Sequence, residues 1–98
     1  MNKPYSLTEI KSKITKTAQQ YGIQRVFLYG SYARGEADQE SDIDICIEKG
    51  KLQTLFELSG FCSDLEETLG SKVDVVTTTG LSDAFKKQIE KEMVLIYE

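Results

Sequence analysis

Apolar residues recur at helical spacing at Leu7, Ile10, Ile14 and Ala18, behind the capping box Ser6-Leu7-Thr8-Glu9, and Gly22 supplies a C-terminal stop. A first helix is expected there. Arg25 to Tyr29 is then a short run that is apolar on both faces, the pattern of a central strand, and Gly30 ends it. In the next strand Ile43, Ile45 and Ile47 alternate with Asp44, Cys46 and Glu48. One face enters the core while the other carries the acids, and Asp42 and Asp44 point the same way. A slip of one residue would bury the aspartates.

Leu52, Leu55, Phe56, Cys62, Leu65 and Leu69 trace a second helical stripe closed by Gly70, with Gly60 marking a kink or a close contact. Lys72 to Thr77 reads as a third strand, with Asp74 between Val73 and Val75. Those neighbours suit a buried strand, where a carboxylate is costly unless it meets a cation or a donor. Ser82 caps a final helix running to about Glu92, and Met93 to Tyr97 adds a last strand whose Tyr97 closes the core. Alternating helices and strands predict an α/β (α+β) fold, a small mixed sheet with helices packed against it. With 98 residues and no repeat or linker, residues 1–98 make one domain without room for a second catalytic lobe.

Charge narrows the function. Twelve basic and sixteen acidic side chains leave a net charge of −4, which argues against direct nucleic-acid binding through many phosphate contacts. Six carboxylates lie between Glu36 and Glu48 with no lysine or arginine among them, so a divalent cation suits that stretch better than a bare anion. The chain has no histidine, which removes the commonest general base and the usual zinc ligand. Cys46 and Cys62 lack metal-ligand or redox spacing and read as reduced, buried thiols of a cytoplasmic protein. Met1 to Tyr5 has no apolar signal core, and the longest apolar run, Met93 to Tyr97, is too short to cross a bilayer, so no membrane segment is expected.

The candidate chemistry lies in Gly30-Ser31, ten further residues, and Asp42-Ile43-Asp44. Glycine lets a ligand approach the backbone, serine offers a hydroxyl beside a free amide, and two carboxylates follow on one sheet face. The glycine spacing of Gly30 to Gly35 approaches a P-loop, but Glu36-Ala37 stands where lysine and a hydroxyl residue are required. An EF-hand starting at Asp38 fails because Ile43 occupies the glycine position of the loop. What remains is a strand-end turn, two acids on the next strand and a third, Asp74, on a further strand. Acids from adjacent strands can surround two metal ions held roughly 4 Å apart.

Ser31 can also cap a short helix after Gly30, and such an end is itself an anion site. Glu36, Asp38 and Glu40 read as solvated loop charges, and Tyr32 as a packing or partner-facing ring. Arg34 is placed to contact phosphate or, equally, to pair with Glu36 or another nearby acid, a surface pair worth only ~0.5 kcal/mol.

Gly30-Ser31, ten residues and Asp42-Ile43-Asp44 resemble the G-S-x10-D-x-D signature of the DNA polymerase beta-like nucleotidyltransferases. Tyr32-Ala33-Arg34-Gly35 and Ser41-Asp42-Ile43-Asp44-Ile45 look like the fuller signature of its minimal nucleotidyltransferase (MNT) branch, and the likeness covers nearly the whole chain. The resemblance implies transfer of AMP from ATP onto a hydroxyl, with pyrophosphate released and two Mg²⁺ ions bound. Asp42 and Asp44 would ligate the metals, and Gly30 and Ser31 would hold the β- and γ-phosphates. Asp74, matching the third family carboxylate, would bind the catalytic metal and help deprotonate the acceptor.

Little in the chain is left over to grip a base or present an acceptor. Small MNT proteins resemble the antitoxin half of HEPN/MNT toxin–antitoxin pairs, in which the MNT protein adenylylates a tyrosine of a HEPN ribonuclease toxin. That hetero-oligomeric partner is therefore implied as the substrate. Two alternatives stand beside it: an antitoxin that neutralises by binding alone, and transfer to a small molecule such as an aminoglycoside, which the missing substrate-sized lobe disfavours.

Overall fold

The computed structural model describes residues 6–38, 41–78 and 82–98. The readings of Met1 to Tyr5 and of Glu40 lie outside them. The elements are α1 (Leu7–Tyr21), β1 (Arg25–Tyr29), α2 (Ser31–Arg34), β2 (Ile43–Glu48), α3 (Leu55–Leu69), β3 (Val73–Thr77), α4 (Asp83–Glu90) and β4 (Val94–Tyr97). The four strands form one sheet in the order β3-β2-β1-β4. β1 pairs antiparallel with β2 and with β4, and β2 pairs parallel with β3, which makes the sheet mixed as expected.

Local chemistry accounts for the ends of these elements. Ser6 and Glu9 form the reciprocal capping box of α1, and Gly22 closes it at φ 68°, in the left-handed region. α3 has a second capping box, Thr54 with Glu57, so the helix starts at Leu55 and Leu52 lies before it. Backbone donors at Gln53 and Thr54 hold the Glu57 carboxyl below the usual range. Ser82 caps α4 by accepting from the Phe85 N–H, and that helix ends at Glu90, short of Glu92.

The core is a sandwich of one sheet face and two helices. Val26 and Leu28 of β1 pair with Ile47 and Ile45 of β2, and all are fully buried against Ile10, Ile14, Phe61 and Leu65. Gly60 is the expected close contact, because a Cβ there would stand 3.2 Å from the Tyr21 hydroxyl, which itself donates to Asp64 at 2.5 Å. The α3 stripe needs correcting at its start: Leu55 and Phe56 are 83% and 87% exposed, while Phe61, outside that stripe, is the fully buried ring. Helical phase gives the reason: Phe61, Leu65 and Leu69 stand four residues apart on one face, and Phe56, nine residues before Leu65, falls on the opposite one. Leu7 is likewise exposed, at the first turn of α1.

The opposite sheet face carries Tyr29, Asp44, Cys46 and Asp74, and α4 reaches it through an edge-on contact between Phe85 and Tyr29 at 6.2 Å. Cys46 is buried, whereas Cys62 is only half-buried, donating to the Val73 carbonyl at 3.3 Å; both thiols are free, and burial pushes both pKa values up. Among the described residues no helix is long and apolar enough to cross a membrane.

Candidate active site

Strand direction decides where the site lies. Tyr29 at the end of β1 pairs with Asp44 near the start of β2, and Asp44 stands beside Asp74 near the start of β3. β4 also begins at this end, its Val94 facing Leu28. One end of the sheet therefore collects Gly30, Asp42, Asp44, Asp74 and the segment just before β4.

Gly30 makes the turn at φ 80°, a conformation that disfavours any side chain, and a Cβ there would collide with the Asp44 carboxylate. Gly30 itself occupies the cap position of α2, and Ser31 is the first helical residue, so Ser31 is not the helix cap. Tyr32 points into the core and is buried, as a packing ring should be. Gly30, Ser31, Arg34, Asp42 and Asp44 all line one open cleft of about 400 Å³.

Asp74 departs from its expectation. β3 is an edge strand, and Asp74 is exposed rather than buried, outside the cleft lining although directly in register with Asp44. The Asp44 carboxyl is raised above the usual range, first by burial, then by the negative charge of Asp74 and Asp42, with Arg34 opposing. Burial foremost, and then Asp44, pushes the Tyr29 phenol up to about 12.

These carboxylates repel one another, a cost that a bound cation would cancel. Among the described residues no three His, Cys, Asp or Glu side chains form a metal cage unaided. Mg²⁺ does not need one, since it retains waters and commonly takes one or two carboxylates together with substrate phosphates. The hard oxygens of Asp42 and Asp44 fit an ion that arrives with a polyphosphate.

Comparison with known proteins decides the family: residues 12–98 match the Polymerase beta, Nucleotidyltransferase family. The chain belongs to that family. A relative in Methanocaldococcus jannaschii, named "Putative protein adenylyltransferase", is 39% identical over 89 residues, covering 91% of this chain and 96% of its own. The protein adenylyltransferase MntA of Thermococcus cleftensis is 30% identical over 95 residues, covering 93% and 96% respectively. A crystal structure of a toxin–antitoxin with AMP-PNP superposes with a TM-score of 0.77 at 25% identity, over 88% of this chain and 71% of that one.

The cleft has a second wall that sequence reasoning missed. Phe85, Gln88 and Ile89 line it from α4, and Glu92 lines it from the turn that follows. Glu92 accepts from the Gly30 N–H at 3.1 Å and from Arg34 Nη1 at 3.2 and 3.3 Å. Arg34 Nε also donates to Glu36 at 2.9 Å, so the pairing alternative for Arg34 is what the structure contains. Glu36 is exposed to solvent as expected and is in addition an ion-pair partner. No local pattern marks Glu92, which lies 62 positions from the amide it engages.

Proposed function

We propose that this nucleotidyltransferase moves AMP from ATP onto a protein hydroxyl, a tyrosine of a HEPN ribonuclease toxin, and so acts as an antitoxin. The observation that carries the reading is the convergence of Gly30, Ser31, Asp42 and Asp44 on one cleft at the end of the sheet where Asp74 also stands. The protein adenylyltransferase names of its relatives and its likeness to a toxin–antitoxin bound to AMP-PNP support that choice of acceptor.

The Gly30 amide and the Ser31 hydroxyl hold the β- and γ-phosphates, with Arg34 able to join them. Asp42 and Asp44 would hold Mg²⁺, with Asp74 as the third carboxylate. Two such ions, when bound, neutralise charge on the attacking and leaving oxygens of an in-line displacement. The tyrosine oxygen forms a bond to the α-phosphorus as the bond to the α,β-bridging oxygen breaks, and pyrophosphate leaves. Asp74 takes the phenolic proton, and its exposure on the edge strand leaves it open to a docked protein.

Incubating the chain with ATP, Mg²⁺ and a HEPN toxin of the proposed kind should add AMP to that partner, read by intact mass. Asp44→Ala should abolish the addition. An unmodified partner under these conditions would sink the proposal, and full neutralisation by an Asp42→Ala/Asp44→Ala protein would favour binding alone.

A further inference from the structure

Glu92 is a carboxylate standing where the nucleotide reading needs an anion from outside. Its Oε1 accepts two donors, the Gly30 N–H at 3.1 Å and Arg34 Nη1 at 3.2 Å, and its Oε2 lies 3.3 Å from the same Arg34 nitrogen. The backbone that carries it is fixed from behind. The Glu92 and Met93 amides both donate to the Ile89 carbonyl at 2.9 Å, and β4 starts immediately afterwards on β1. An amide plus a guanidinium is the donor set that would receive phosphate oxygens, and here it is satisfied by a residue of the chain.

We propose that Glu92 is an intramolecular stand-in for a nucleotide phosphate, holding the Gly30 amide and Arg34 until a polyphosphate displaces it. The inference rests on the nucleotide reading of the cleft given above and adds a residue that sets affinity. A triphosphate carries more charge and more acceptor oxygens than one carboxylate, so it wins the contest for Arg34 and Gly30. Glu92 must then swing aside, because two anions cannot share those donors and would repel. A ligand with no phosphate gains nothing from competing. Glu92 therefore lowers affinity for polyphosphates in general and favours their departure, while leaving the affinity for a nucleoside untouched.

Glu92→Gln separates charge from shape, since the amide oxygen can still accept from Gly30 while the negative charge is gone; Glu92→Ala removes both. Wild type and the two variants, checked for folding by circular dichroism, are titrated calorimetrically with Mg²⁺–AMP-PNP, inorganic tripolyphosphate and adenosine. Both variants should bind AMP-PNP and tripolyphosphate roughly three- to tenfold tighter than wild type, the scale of a partly exposed ion pair together with relieved like-charge repulsion. Adenosine affinity should not change.

Equal or weaker polyphosphate binding by folded Glu92→Gln would overturn this inference alone. So would a change that extends to adenosine, which would make Glu92 a structural support of the cleft. Absence of AMP-PNP binding by wild type and variants alike would overturn it together with the nucleotide reading.

Discussion

Asp44 and Asp74 are neighbours in a parallel ladder and share a sheet face, yet the fold treats them differently. Asp44 lies on an interior strand, half-buried beside Gly30, with its carboxyl raised by burial and by the other two acids. Asp74 lies on an edge strand and is exposed. In the proposed reaction, two carboxylates in matched positions would thus take different tasks: the interior one holding a cation, the edge one meeting an incoming acceptor. Strand order, rather than residue type, makes the distinction.

The sharpest test is Asp44→Ala, for which AMP transfer should fall by roughly 10³-fold or more, as when a central transition-state charge stabiliser is removed. Single-turnover rates with the toxin partner would measure it. Asp74→Asn should lower the rate by about 10²-fold, the range of a lost general base, without lowering Tm, because the side chain is exposed and its charge repels Asp44. If Asp74→Asn instead matched Asp44→Ala in rate and also unfolded the chain, the division of labour would be wrong.

Gly30→Ala comes next. Its positive φ and the collision with Asp44 should cost about 1–3 kcal/mol of stability, seen as a lower midpoint in urea, and reduce transfer at the same time. The smallest effect concerns pH. Because the folded pKa of Asp44 is raised, its contribution is fully present below the ordinary aspartate value and is lost as pH rises through the raised one. Without Mg²⁺, Asp44→Asn should remove that part of the pH dependence and slightly raise Tm at neutral pH, while Asp74→Asn, which takes away only one of the charges acting on Asp44, should weaken the dependence without removing it.

Much of this site can be read along the chain because its first half is local. Gly30, Ser31 and Asp42 lie on one strand-to-strand connection and Asp44 is the second residue of the strand it leads into, where the alternation of Ile43, Ile45 and Ile47 orients it. The three buried isoleucines show the alternation correct. Asp74 could be placed on a strand but not on an edge, since Val73 and Val75 read the same either way and only the pairing order tells them apart. Glu92 was invisible because its partners depend on the β1–β4 pairing and on where α4 stops. At α3 both signals lie in the sequence: Thr54 and Glu57 spell the capping box that starts the helix, and four-residue steps back from Leu69 through Leu65 reach Phe61 and put Phe56 on the opposite face.

The sheet's far end carries a different lesson, about where the chain can be lengthened. There α1 hands over to β1 at Gly22, and β2 hands over to α3 through Gly50, whose backbone is pressed so tightly that a Cβ would stand 2.5 Å from the Gly22 carbonyl oxygen. The Lys51 amide donates to that same carbonyl at 3.0 Å, stitching the two connections together. An inserted residue at 49–51 would have to break this stitch, whereas the open stretch at Gly35, where a Cβ would meet nothing within 4 Å, has room for one. A reporter loop or affinity handle placed at that open stretch would sit beside the catalytic end, so the positions easiest to engineer are also those most apt to disturb partner access.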